Sequence, residues 1–84
     1  METLKYIATI WFATPTNPKE VKTVNGTYTT DYPIEGLVGQ IEMKFTASNP
    51  KVTKYEVMTI EACDMNGNNM RTIYSNTARH KWTS

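Results

Sequence analysis

The fold depends on residues 31–49, which read DYPIEGLVGQIEMKFTASN. With a helical period of about 3.6 residues, five apolar side chains of this stretch fall within an arc of about 100°. They are Ile34, Leu37, Val38, Ile41 and Phe45. Such a stripe is typical of an amphipathic helix that packs one side against a core.

The residues around this stripe supply signals for the start and the end of a helix. Asp31 is placed to cap the N-terminus, Pro33 suits the first turn, and Glu35 complements the helix dipole. Asn49-Pro50 follows the stripe, and proline cannot continue a helix because it lacks the backbone N–H. Both ends of the predicted helix are therefore marked in the sequence.

The same stretch also has features of a strand. Residues 41–47 alternate apolar and polar side chains with a period of two, as a half-buried strand does. Gly36 and Gly39 each weaken a helix by about 1 kcal/mol relative to Ala. We favour the helix because periodicity, capping and stop signal agree, and an all-β fold is the alternative.

The N-terminal part of the chain predicts strands. Residues 4–13 are apolar on both faces, which favours a central strand, and Pro15 and Pro18 then break the pattern. Residues 21–30 are rich in Thr, Val and Tyr around Asn25-Gly26, a pair typical of a tight type I′ turn. This segment predicts either a small hairpin or one strand with a bulge at Gly26.

The C-terminal part predicts a second pair of strands. Residues 52–63 are β-rich, and Asn66-Gly67 indicates a reversal into a last strand at residues 70–74. The expected fold is α+β, with a small antiparallel sheet of about four strands and one helix on a face, in the order β-β-α-β-β. We expect one domain over residues 1–76 and a flexible C-terminal tail over residues 77–84.

Composition limits the classes of function. The chain has 84 residues, 39% of them hydrophobic, and a net charge of +1, which argues against the strong basic field of sequence-blind nucleic-acid binders. Residues 1–42 carry three Lys against five acids, whereas residues 43–84 carry six basic residues against three acids. A single cysteine, no signal peptide and no apolar run of about 20 residues predict a cytoplasmic protein that crosses no membrane.

Residues for chemistry are scarce. The one histidine, His80, lies in the predicted tail, and Cys63 precedes Asp64, whose charge opposes thiolate formation. One Cys and one His cannot supply the four ligands of a structural zinc site. Glu56 and Glu61 differ by an odd number, so on a regular strand they face opposite sides. We therefore expect neither an enzyme nor a protein that needs a metal or cofactor.

Two surfaces are candidates for binding a partner. The predicted helix has an outer side, opposite the apolar stripe, that carries small residues, one methionine and no charge, which suits close approach of another protein or a second copy. This outer helix face consists of Gly36, Gly39, Gln40, Met43 and Ala47. The second candidate combines positive charge with an aromatic ring, as RNA and DNA contacts do. It consists of Arg71, Arg79, Lys81 and Trp82.

The layout of the chain resembles small cytoplasmic proteins that bacteriophages make early in infection, among them RNA-polymerase inhibitors and antitoxins of T-even phages. Residues 6–11, YIATIW, look like their first strand, residues 33–46 like their single helix and residues 55–61 like the strand after it. The resemblance implies a stoichiometric inhibitor of a host enzyme, toxin or defence complex. The function predicted from the sequence is therefore a non-catalytic protein-binding inhibitor or adaptor, with a small RNA- or DNA-associated protein as the alternative.

Overall fold

A computed structural model describes residues 2–76 of the chain. It contains four strands and one helix in the predicted order. They are β1 Thr3–Ala13, β2 Glu20–Thr29, α1 Ile34–Ser48, β3 Lys54–Cys63 and β4 Arg71–Ser75. The predicted flexible tail at residues 77–84, with His80, lies outside the described residues.

The strands form one antiparallel sheet in the order β2-β1-β3-β4. β1 is central, as its two apolar faces predict. The small α+β fold is therefore confirmed, and the all-β alternative is wrong because residues 34–48 form the helix α1. Among the described residues, no helix combines the length and the hydrophobicity needed to cross a membrane.

The core lies between α1 and one face of the sheet. Leu37, Ile41 and Phe45 of α1 are buried against the even-numbered side chains of β1 and against β3. The rings of Phe12 and Phe45 meet edge to face, with their centroids 5.1 Å apart. Truncating a buried residue of this kind to Ala usually costs about 2–5 kcal/mol, so this layer supplies much of the stability.

The helix ends as predicted but does not begin with the predicted cap. α1 stops at Ser48, and the side-chain amide of Asn49 donates to the Phe45 carbonyl at 2.8 Å. At the other end Pro33 occupies the N-cap position, with no side-chain capping bond, so the prediction for Asp31 is wrong. A residue before proline is disfavoured in the helical region, so Tyr32 cannot start the helix and Asp31 is too far away to cap it.

β2 is one continuous strand, so the hairpin and the bulge predicted at Asn25-Gly26 are both wrong. Its register with β1 runs without a shift and pairs Gly26 with Tyr6. A Cβ added at Gly26 would lie 2.7 Å from the Tyr6 hydroxyl oxygen and 2.9 Å from its ring. The glycine therefore makes room for a cross-strand tyrosine and is not needed for a turn.

The second Asn-Gly pair does form the predicted turn. Asn66-Gly67 lies between β3 and β4, and Gly67 has a φ of +86°. Two oxygens hold this turn together: the Asp64 carbonyl accepts from the Gly67 N–H, and the Asp64 carboxylate accepts from the Asn66 and Asn68 N–H groups. The predicted C-terminal hairpin is thereby confirmed.

Candidate functional site

The outer helix face is largely exposed to solvent. Gly39, Gln40, Met43 and Ala47 are exposed, and the Met43 side chain is 68% exposed. Gly36, the fifth residue of this face, is half-buried, and the Tyr32 ring lies beside it, 3.2 Å from where a Cβ would be. The structure therefore brings four of the five predicted residues together on one accessible surface.

No residue of the outer helix face carries a charge. At its border, burial raises the pKa of the Glu42 carboxyl, whereas Lys44 is exposed. Small side chains at Gly39 and Ala47 allow a second element to approach the helix axis closely, and the flexible thioether of Met43 adapts to an irregular surface. This arrangement suits packing and has no group for chemistry.

The side of the sheet opposite α1 carries a partly apolar surface, here called the open sheet face. It is formed by the odd-numbered residues of β1 and β2. Ile7 is 38% exposed and Val21 57% exposed, and Val21 pairs with Trp11. The Lys19 ammonium lies 4.1 Å from the centroid of the Trp11 ring, which is a cation–π geometry. The sequence indicated that this face of β1 is apolar but not that it remains partly accessible.

A concavity of about 390 Å³ opens on the same face. Its lining includes Lys5, Ile7, Asn25, Thr27 and Cys63. Cys63 is a free, buried cysteine at the end of β3. Among residues 2–76, the lining supplies one amine and one thiol and includes no histidine or carboxylate.

The outer edge of β2 is a feature that the sequence did not reveal. β2 lies at one end of the sheet, and no strand of residues 2–76 pairs with its outer side. The Thr30 N–H donates to the Glu2 carbonyl at 2.9 Å, so this pair is hydrogen-bonded. Because antiparallel pairs alternate between hydrogen-bonded and open types, the even-numbered residues of β2 bond to β1.

The odd-numbered residues of β2 therefore direct their backbone N–H and C=O groups away from the sheet. They are Val21, Thr23, Asn25, Thr27 and Thr29. Of these groups, the Thr29 carbonyl already accepts from the Tyr32 N–H at 3.0 Å. β2 contains no proline and no bulge, and its two charged residues, Glu20 and Lys22, lie at its start. Natural sheets usually protect an edge with prolines, bulges or charged side chains, so the part of this edge beyond Lys22 is suited to pairing with another strand.

The opposite edge of the sheet is built differently. β4 has five residues, and its register with β3 shifts between Ile60 and Glu61. A short, irregular strand is a poor template for pairing. The two edges therefore differ in length and regularity, and β2, with ten residues, is the edge fitted to bind a strand.

The prediction for the carboxylates Glu56 and Glu61 is wrong. The register between β1 and β3 shifts at Thr9/Ile10, so Glu56 lies opposite Trp11 and Glu61 opposite Ile7. Trp11 and Ile7 share the open sheet face, and the extra residue in β3 therefore brings both carboxylates to that face. They are separated by four residues of β1, roughly 13 Å, which is too far for shared acid and base work.

The loop after β3 is held by the side chain of an aspartate. The pKa of the Asp64 carboxyl is lowered chiefly by the hydrogen bond from the Asn68 backbone N–H. Hydrogen bonds from residues 66, 67 and 69 lower it further. The Asp64 carboxylate thus stabilises a turn. Over residues 2–76, no group of three or more His, Cys, Asp or Glu side chains is placed to hold a metal ion.

The predicted nucleic-acid residues are only partly described. Arg71 is exposed at the start of β4, where its guanidinium lies 3.5 Å from the Asn69 carbonyl oxygen. Arg79, Lys81 and Trp82 lie outside the described residues. The structure therefore describes one of the four predicted residues, Arg71.

Comparison of the chain with family models, with curated proteins and with solved structures found no match.

Proposed function

We propose that this chain is a non-catalytic protein-binding inhibitor or adaptor that docks through the outer helix face. The observation that carries the proposal is Met43, whose side chain is 68% exposed between the exposed residues Gly39 and Ala47. An exposed, adaptable apolar group flanked by small residues is favourable for contact with a partner, because the partner's side chains reach the helix without displacing a charge.

The proposed partner is another protein, and the mode of action is occupation of its surface. Inhibition by occupation needs shape and apolar contact and requires no catalytic group. The resemblance to early phage proteins supports a host enzyme, toxin or defence complex in the cytoplasm as the target. Anchors in the centre of an interface carry most of its binding energy, so Met43 is the residue whose change should matter most.

A pull-down from the native cell tests this proposal. Tagged protein is expected to retain a protein partner after nuclease treatment and at raised salt, because an apolar interface depends little on ionic strength. Met43→Glu should remove that partner, since a carboxylate would be buried in the contact. Lys51→Gln, which changes the net charge by the same amount on an exposed loop, is the control and should retain the partner. Equal retention by both variants would refute the outer helix face as the docking site.

The alternative function is that of a small RNA- or DNA-associated protein. Exposed Arg71 favours it, together with the basic and aromatic composition of residues 77–84. Against it, Glu56 and Glu61 share the open sheet face with Trp11, and their charges repel phosphates from that face. This alternative predicts that nuclease removes every partner and that binding falls steeply as salt rises.

A further inference from the structure

We propose that a second copy of this chain pairs with the outer edge of β2 in antiparallel orientation, about a two-fold axis at Asn25. Two four-stranded sheets would then join into one continuous sheet. This proposal is independent of the outer helix face, because α1 packs over the central strands and takes no part in the new pairing.

The pattern of backbone groups determines which registers are allowed. The outward N–H and C=O groups belong to odd-numbered residues of β2, so an antiparallel partner must set odd residues opposite odd residues. Centring the axis on Asn25 sets Thr23 of each copy opposite Thr27 of the other and Val21 opposite Thr29. The outward groups of Thr23, Asn25 and Thr27 then all find partners, and the Val21 N–H shares the Thr29 carbonyl with the Tyr32 N–H of the same copy. A shift of the register by one residue would place the outward groups opposite even-numbered residues of the other copy, whose N–H and C=O groups already bond to β1.

The charges of β2 also favour this arrangement. Glu20 and Lys22 both lie near the start of the strand, and its remaining residues are uncharged. In the proposed pairing Lys22 faces Tyr28 of the other copy, so no like charges meet. A parallel pairing in register would set Lys22 against Lys22, which is destabilising. The side chains nearest the axis are short and polar, and cross-strand Thr pairs of this kind stabilise sheets.

The helix side of β2 provides further surface for a second copy. Val24 and Tyr28 are only partly buried at the border of the core, and a groove of about 170 Å³ runs between β2 and α1. In the proposed pairing Val24 lies opposite Gly26 of the other copy, and Lys22 lies beside the Tyr28 ring. The second copy would therefore cover apolar area that α1 leaves accessible, and Lys22 would approach an aromatic face.

The size of the contact indicates a weak dimer. A strand of ten residues is about 34 Å long, so pairing along it buries less than the roughly 1,200 Å² of a stable, specific interface. We expect dissociation on dilution through roughly the micromolar range, at the weak end of specific association.

A charge-swap experiment at Asn25 tests both the dimer and its register. Asn25 is exposed, so Asn25→Lys and Asn25→Asp should each leave the monomer folded. Alone, each variant sets two like charges across the axis and should weaken association about fivefold in sedimentation equilibrium. An equimolar mixture sets opposite charges there and should restore the affinity of the unaltered protein. Failure of the mixture to restore it would overturn the register.

A proline variant tests the edge itself. The Thr23 N–H faces outward, so Thr23→Pro should leave the β1–β2 ladder intact and weaken association at least tenfold, because the two-fold symmetry removes two hydrogen bonds between the copies. Val24→Pro, which removes an inward hydrogen bond, is the contrast and should unfold the strand. Amide exchange at Thr23, Asn25 and Thr27 should slow as protein concentration rises.

Three results would overturn the proposal. One is an unaltered protein that stays monomeric up to about millimolar concentration, well above the expected range. Another is a dimer that Thr23→Pro does not weaken. The third is protection of the outward amides only when a different protein is added, which would assign the edge to that protein's strand.

Discussion

The dipeptide Asn-Gly occurs twice in this chain and adopts two different backbones. Asn25-Gly26 lies in the middle of β2, whose pairing with β1 continues through it without a shift. Asn66-Gly67 forms the turn between β3 and β4, with Gly67 at a φ of +86°. The comparison shows that the dipeptide permits a turn and that its surroundings decide whether the turn forms.

Different neighbours explain the two outcomes. Gly26 lies under the buried ring of Tyr6, whose pKa is raised by burial, and the strand must stay straight to keep that ring in the core. A Cβ at Gly67 would meet nothing within 4 Å, but the Asp64 oxygens nearby accept the N–H groups that the turn exposes. Gly26 is needed because a side chain there would collide with Tyr6, whereas Gly67 is needed because its backbone has a positive φ.

Gly26→Ala is expected to have the largest effect. The added methyl would overlap the Tyr6 ring, and overpacking of this kind costs typically about 2 kcal/mol. Urea denaturation of the variant should show a lower midpoint with an unchanged slope. An unchanged midpoint would mean that Tyr6 moves aside freely and that space does not select this glycine.

Gly67→Ala should cost less, about 1 kcal/mol, because Ala is strained at positive φ although there is room for its methyl group. Gly67→Asn is the matched control and should cost less than Gly67→Ala, since Asn tolerates the left-handed region. Thermal unfolding of the two variants measures the difference. Equal losses would contradict backbone conformation as the cause.

Gly39→Ala should have an effect of the opposite sign. This glycine lies within α1, and nothing lies within 4 Å of an added Cβ, so the substitution should raise the free energy of unfolding by about 0.8 kcal/mol. The variant separates the general cost of a glycine from the special needs of Gly26 and Gly67. A loss of stability here would show that the helix requires its glycine.

Asp64→Asn should have the smallest effect, and one that depends on pH. The pKa of Asp64 is lowered chiefly by the Asn68 N–H, so the folded state favours the carboxylate and gains stability above the ordinary pKa of an aspartate. That gain is lost as pH falls through the lowered pKa. The variant should therefore be less stable than the unaltered protein near neutral pH and equal to it in strong acid. If the variant stays less stable in strong acid, the loss comes from a changed shape of the turn and not from the missing charge.

The fold was predictable from local patterns where several signals agreed. The stripe from Ile34 to Phe45 and the stop at Asn49-Pro50 located α1, and the apolar faces of residues 4–13 located the central strand. The predicted outer helix face followed from the same periodicity, and four of its five residues are exposed. The errors at Asp31, at Asn25-Gly26 and at Glu56 with Glu61 arose where a single local rule was applied alone.

The sequence by itself determined the number and order of the elements, because hydrophobic period and turn residues act over a few neighbours. Tertiary structure alone decided that Gly26 lies under Tyr6, that a bulge in β3 brings Glu56 and Glu61 to one face, and that the outer edge of β2 is free of other strands within residues 2–76. Each of these depends on which strands become neighbours. Contacts between residues distant in the chain fix register and edges, and no local pattern encodes them.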